Sequence, residues 1–171
     1  MARTMLKIFG ALLVFAALAA AQTDTTVTYI PKAEVQSSTA QVQLKDGGIT
    51  MRTVDLGNAH VGIALRHRPK STPDGPVIHS KVSEIYIVTA GSATLATGGI
   101  MTDQKAMSGG GESVGPGFRG TVAKPNDVRP VREGDIIIII PSGIPHWFPE
   151  VTEDLTYMVV RIDPEKALAL K

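Results

Sequence analysis

Two histidines and one glutamate carry the chemistry this sequence offers. His79 and Glu84 lie in HSKVSEIYIVTAG (79–91), and His146 lies in PSGIPHWFPE (141–150). Two imidazoles and a carboxylate are the donor set of a two-histidine, one-carboxylate centre, which holds a divalent transition ion and leaves coordination positions open. On one straight strand His79 and Glu84 would face opposite sides, because an odd spacing inverts the side chain. They converge only if the chain bends between them, and the polar stretch Ser80 to Ser83 can make that bend. Beyond it Glu84, Tyr86 and Val88 share one face at a spacing of two, and Phe148 shares the face of His146. Tyr86, Val88 and Phe148 are therefore expected to line a pocket, with Trp147 pointing away. Tyr86 is the candidate catalytic group, able to hydrogen-bond a substrate or take part in proton or radical transfer. Lys81, inside the bend, is a candidate contact for an anionic substrate.

The remaining histidines are His60 and His67. Their odd spacing puts them on opposite faces of one strand, so at most one points inward. His67 shares its face with Val61, Ile63 and Leu65, the apolar face, and is the candidate fourth ligand; His60, beside Asn58, reads as a turn or surface residue.

Strands must position these groups. TTVTYI (25–30), ITMRTVDLG (49–57), AHVGIALRHR (59–68), SEIYIVTAG (83–91), SATLATGG (92–99), DIIIIIP (135–141) and LTYMVVRID (155–163) alternate or are rich in β-branched residues, with Gly, Pro and Asp turns between them. Such a series predicts an all-β, antiparallel sandwich or barrel. Only the tail DPEKALALK reads as helical, with Asp163 as N-cap and Pro164 at the first position. The segment 98–132 reads as an irregular insertion; its three consecutive glycines lack the G-K-[ST] of a phosphate loop, and a lid over a site is the role open to it.

The first residues have Arg3 and Lys7 ahead of an apolar core from Ile8 to Leu18, and then Ala19-Ala20-Ala21. This is the pattern of a secretory signal peptide over 1–21, its core shorter than the roughly 20 residues a membrane span needs. The exported chain, 22–171, would be a single domain in the periplasm or outside the cell, with no membrane contact after cleavage. Losing Arg3 and Lys7 takes two from the 17 basic residues, set against 16 acidic ones, and leaves that domain at about −1. Without a basic stripe interleaved with aromatics, nucleic acid is not expected as a partner. The absence of cysteine excludes disulfides and leaves a hydrophobic core, a metal or a partner subunit to supply stability. Five consecutive isoleucines, Ile136 to Ile140, give a strand apolar on both faces, and covering the outer one predicts a homodimer.

At these residues the chain resembles the cupins, small jelly-roll barrels. In their first motif, G-x5-H-x-H-x3-4-E-x6-G, the second histidine, the acid and the last glycine fall on His79, Glu84 and Gly91, within 77–91. In their second, G-x5-P-x-G-x2-H-x3-N, Gly134, Pro141, Gly143 and His146 match, within 134–150. Val77 stands where the first histidine belongs, Glu150 replaces the asparagine, and Gly134 to Pro141 is one residue longer than the pattern. The resemblance implies a jelly-roll β-barrel binding one divalent metal ion (Cu, Fe, Mn or Zn) through His79, Glu84 and His146. It implies an oxidase or dioxygenase acting on a small organic or carbohydrate substrate. A non-catalytic sugar, small-ligand or metal binder is the alternative, followed by copper-dependent oxidative cleavage of polysaccharide or sugar isomerisation or epimerisation.

Overall fold

The computed structural model describes residues 27–44, 47–107 and 114–171. The leader read over 1–21 lies outside them. Two antiparallel sheets face each other. The first has five strands in the order β1 (Gly47–Asp55), β2 (His60–Arg68), β11 (Leu155–Asp163), β4 (Ser83–Ala90) and β9 (Ile136–Ile140). The second has six, in the order β6 (Met101–Ala106), β7 (Gly117–Val122), β3 (Val77–His79), β10 (His146–Val151), β5 (Ser92–Thr97) and β8 (Asp127–Arg132). Apart from the sequential pairs β1–β2 and β6–β7, neighbouring strands within each sheet are not consecutive in sequence, as the crossovers of a jelly roll require. The core between the sheets is built from Val88, Leu95, Val131, Phe148, Val151, Leu155, Tyr157 and Val159.

The five-stranded sheet is covered on its other face as well. A helix, α1 (Lys32–Val42), lies against β1 and β2 and closes a second apolar cluster, in which Val42, Met51 and Leu65 are fully buried and Ile30, Val35, Ile63 and Met158 pack around them. Arg52 on β1 clasps Glu34 in the first turn of α1 through two hydrogen bonds of 2.7 and 2.9 Å. The described residues of the strand expected over 25–30, 27–30, belong to no sheet and lead into this helix. KAEVQSSTAQV has few apolar residues and no regular stripe, so its pattern gives little helical signal; Pro31, pre-set at φ −62°, starts it, and the docked face holds it.

The tail is not helical either. After Asp163 the chain turns, with Lys166 at φ 54°, and Asp163 Oδ2 accepts a hydrogen bond from the Leu168 amide at 2.6 Å. Leu168 is buried, its carbonyl meets His60 Nδ1 at 2.8 Å, and Lys171 exchanges two backbone hydrogen bonds of 3.0 Å with Thr53. Pairing with β1 thus takes the backbone groups a helix would need. The same contacts make His60 a buried structural residue rather than a surface one. The segment 98–132, expected to be irregular, supplies β6, β7 and β8; residues 108–113 within it lie outside those described. Among the described residues no helix is long and apolar enough to cross a membrane.

Candidate metal centre

The bend anticipated between His79 and Glu84 is a change of sheet. His79 ends β3 in the six-stranded sheet, and Glu84 lies near the start of β4 in the five-stranded one. The turn after β9 locks onto that crossing: the Gly143 amide donates to the His79 carbonyl at 2.8 Å, and the Ser142 amide donates to Ser83 Oγ at 3.2 Å. Gly143 has φ 84°, a left-handed conformation that glycine adopts without strain, and His146 follows it at the start of β10. Gly91 is demanded more strictly still, because at φ 79° a β-carbon there would collide with the Asp154 carbonyl where β4 meets the turn before β11.

These contacts bring His79, Glu84 and His146 together in the interior, with one donor atom from each within 4.8 Å of the others. Glu84 Oε2 faces both rings, 3.4 Å from His146 Nε2 and 3.6 Å from His79 Nε2. Its other oxygen accepts from Arg161 Nε at 2.8 Å, and Tyr86 Oη donates to Oε2 at 2.7 Å. Burial alone would raise the Glu84 carboxyl, but His146, His79 and the Arg161 guanidinium hold it well below the usual carboxylate range. Burial pushes His79 down to about 4, against the pull of Glu84, so its ring is neutral near pH 7. Tyr86 is raised well above its ordinary value by burial and by the Glu84 charge, and keeps its proton as a donor.

The residues fit a metal ion. His146 Nδ1 lies 3.0 Å from the Ile144 carbonyl and can only donate there, which places the lone pair on Nε2, the atom turned toward Glu84. That Nε2 and His79 Nδ1 are buried without any hydrogen-bond partner, an arrangement that costs about 1–3 kcal/mol for each group unless something else satisfies it. Metal–ligand bonds of about 2.1 Å give ligand-to-ligand edges of roughly 3.0–3.4 Å, close to the two contacts Glu84 makes.

The centre opens on a cavity of about 440 Å³, within the range that takes a small molecule. Tyr86, Phe148 and Tyr157 pack against one another as an aromatic wall, with ring centroids 4.8 to 6.2 Å apart. Val77, in the position of the missing histidine, and Trp147, expected to point away, border it too. A larger cleft of about 530 Å³ along β8 and β9 contains none of the histidines.

Three expected positions fall elsewhere. His67 is buried on the opposite face of the sheet, beneath α1, with its Nδ1 3.0 Å from Thr156 Oγ1; it cannot be a fourth ligand. Lys81 pairs with Glu165 at 2.7 Å on the exposed surface and does not reach the cavity. Val88 is packed in the apolar core and is not among the residues that line the cavity.

Sequence reasoning missed the arginines. Arg66, Arg68 and Arg161 all point into the cavity from β2 and β11, the first two at the even spacing that shares a face. Arg68, at the end of β2, is largely enclosed, 2.5 Å from Asp74, 3.2 Å from Tyr157 Oη and 5.6 Å from the centre of the Phe148 ring. The alternation of Arg66, His67 and Arg68 is the signal that could have revealed them.

No protein-family model matches the chain, and no curated protein does. Solved structures do. The BH2720 protein of Bacillus halodurans aligns with 86% of this chain and 89% of its own, at 11% identity and a TM-score of 0.50. An RmlC-like cupin family protein with a double-stranded β-helix fold from Methanocaldococcus jannaschii aligns with 71% of this chain and 85% of its own, at 15% identity and a TM-score of 0.41. Hydroquinone 1,2-dioxygenase from Sphingomonas sp. TTNP3, with 4-hydroxybenzoate bound, aligns over 64% and 62%, at 13% identity and a TM-score of 0.43. The likeness to the BH2720 protein is one of fold alone: two facing antiparallel sheets with the crossed connections of a jelly roll.

Proposed function

We propose that this chain is an exported, mononuclear metal-dependent oxidoreductase of the oxidase or dioxygenase type, acting on a small organic or carbohydrate substrate. His79, Glu84 and His146 would hold one divalent transition ion, Cu, Fe, Mn or Zn. The observation that carries the reading is the buried, unpartnered His146 Nε2, which faces the charged Glu84 carboxylate together with His79 Nε2 at the head of a cavity. A two-histidine, one-carboxylate ion supplies Lewis acidity and open positions for redox chemistry. The chain's own groups do the rest. Arg161 fixes one Glu84 oxygen, Tyr86 holds a proton at Oη beside the other, and the aromatic wall excludes water from one side of the site. Tyr86 Oη, lining the cavity, has one proton and would donate it to a bound substrate only in place of Glu84.

Export rests on the leader pattern of residues 1–21. A homodimer is supported by Ile136, which is exposed on β9 at a free edge of the five-stranded sheet. The test is metal-dependent dioxygen consumption by the reconstituted protein with a panel of small phenols, organic acids and sugars. Turnover lost in His146→Ala supports the reading, and a fully loaded protein inert across the panel contradicts it. One observation favours a second reading, a non-catalytic ligand or metal binder: Val77 leaves the centre a ligand short of the full motif.

A further inference from the structure

The cavity holds more positive charge than its metal centre uses. Of five cations that line it, Arg161 is engaged with Glu84 and Arg68 with Asp74. The other three, Arg66, Lys105 and Arg119, have no hydrogen-bond or ion-pair partner among the described residues. Lys105 and Arg119 are also directly opposite each other in the β6–β7 ladder. Like charges so placed repel, and a ladder that keeps them is relieved by an anion between them.

The register shows where that anion would sit. Lys105 pairs with Arg119, Arg119 with Val77, and Val77 with His146, so four adjacent strands set these residues in one row. Paired residues share a face, and all four border the cavity. Strands are spaced about 4.8 Å apart, which puts the Arg119 backbone roughly 10 Å and the Lys105 backbone roughly 14 Å from that of His146. Val77 leaves an uncharged gap between the metal centre and the cations. Arg66 enters from the facing sheet, near enough for its charge to act on His79.

Resting on the proposed metal centre for one of its two anchor points, we infer that the cavity binds a small organic acid. One end lies at the His79–Glu84–His146 centre, and a carboxylate at the other is held by Arg119, Lys105 and Arg66. An inorganic anion would satisfy the cations and leave the aromatic wall of Tyr86, Phe148 and Tyr157 and the side chains of Val77 and Val159 without contact. A carbon body between two polar ends uses both. Arginine supplies the two-pronged geometry that carboxylates match.

The test is titration calorimetry of malonate, succinate and glutarate, with their neutral diamides and sulfate as comparisons, into metal-free and metal-loaded protein. Arg119→Gln and Lys105→Gln are both at exposed positions and leave the core intact. Arg129→Gln removes the same charge from the surface outside this cavity. The inference expects at least one diacid to saturate the metal-loaded protein at a single site, and the metal-free protein more weakly through the cations alone. Affinity should fall about tenfold in Arg119→Gln and in Lys105→Gln and stay unchanged in Arg129→Gln. No saturable diacid binding, equal binding of the diamides or sulfate, or an equal loss in Arg129→Gln would overturn it. Because the metal-free protein is titrated separately, failure to load metal while diacid still binds would remove the metal reading and leave the anion site standing. Stoichiometric metal without diacid binding would do the reverse.

Discussion

The five-stranded sheet is covered on both faces, and buried histidines lie to either side of it, yet only one side is equipped for chemistry. On the helix side His67 sits among Leu65, Ile63 and Met158, with Nδ1 against the Thr156 hydroxyl. On the cavity side His79 and His146 flank a charged carboxylate and each leaves a buried nitrogen without a partner. Burial therefore does not distinguish a structural histidine from a functional one. The distinction lies in what the ring nitrogens meet: a single neutral hydroxyl in one case, a charged carboxylate shared with a second imidazole in the other.

Substitutions on either side should separate the two roles. The largest loss is expected for Glu84→Ala, which breaks the buried pair with Arg161, whose side chains are 2% and 5% exposed, and should cost about 3–5 kcal/mol in denaturant unfolding, together with metal binding. Leu65→Ala, under α1, should cost a similar about 2–5 kcal/mol through the cavity it leaves and keep metal affinity unchanged. Loss of metal from Leu65→Ala at temperatures where it is folded would show that the two faces are coupled.

Acid should act on the cavity side. The unfolded chain protonates His79 near its ordinary 6.5, whereas the folded protein does so only near 4. The metal-free protein should therefore be fully stable with respect to this group above pH 6.5 and lose stability as the pH falls toward 4. Thermal melts of wild type and His79→Gln across that window check it, with the variant expected to show a shallower decline. Glu84, held low in the fold, adds a loss of the same sign only as the pH falls toward its unfolded value of 4.5, so the upper part of the window reports His79. The smallest effect is expected for Tyr86→Phe, which removes one hydrogen bond to Glu84 Oε2. About 1–3 kcal/mol of stability should go, with metal still bound; an unchanged melting temperature would mean that this hydroxyl does not hold the carboxylate.

What could be read from the sequence follows the same division. The spacing from His79 to Glu84 required a bend, and the turn bearing Gly143 placed His146 beyond it; both are local constraints, and the structure shows the three side chains together. The direction of β2 could not be read, because parity says which residues share a face and not which face is inside. With α1 unrecognised, the apolar side carrying Leu65 and His67 looked like the interior, when it is the side the helix covers. The arginines were lost for the same reason, since Arg66 and Arg68 occupy the true inner face. The tail misled differently. Asp163 does cap a turn, but it is the pairing of Lys171 with Thr53 that takes the backbone, a long-range contact with no local signature.

The central claim is that the cavity-side histidines bind a metal and the helix-side one does not. The most direct measurement is metal content by elemental mass spectrometry on protein purified without chelator, comparing wild type with His146→Ala and His67→Ala. The account predicts near one equivalent of a transition metal in wild type and in His67→Ala. In His146→Ala, affinity should fall by about 100-fold or more, beyond the roughly 10–100-fold that losing a supporting hydrogen bond costs. Undiminished metal in folded His146→Ala, or loss of metal from His67→Ala alone, would contradict it.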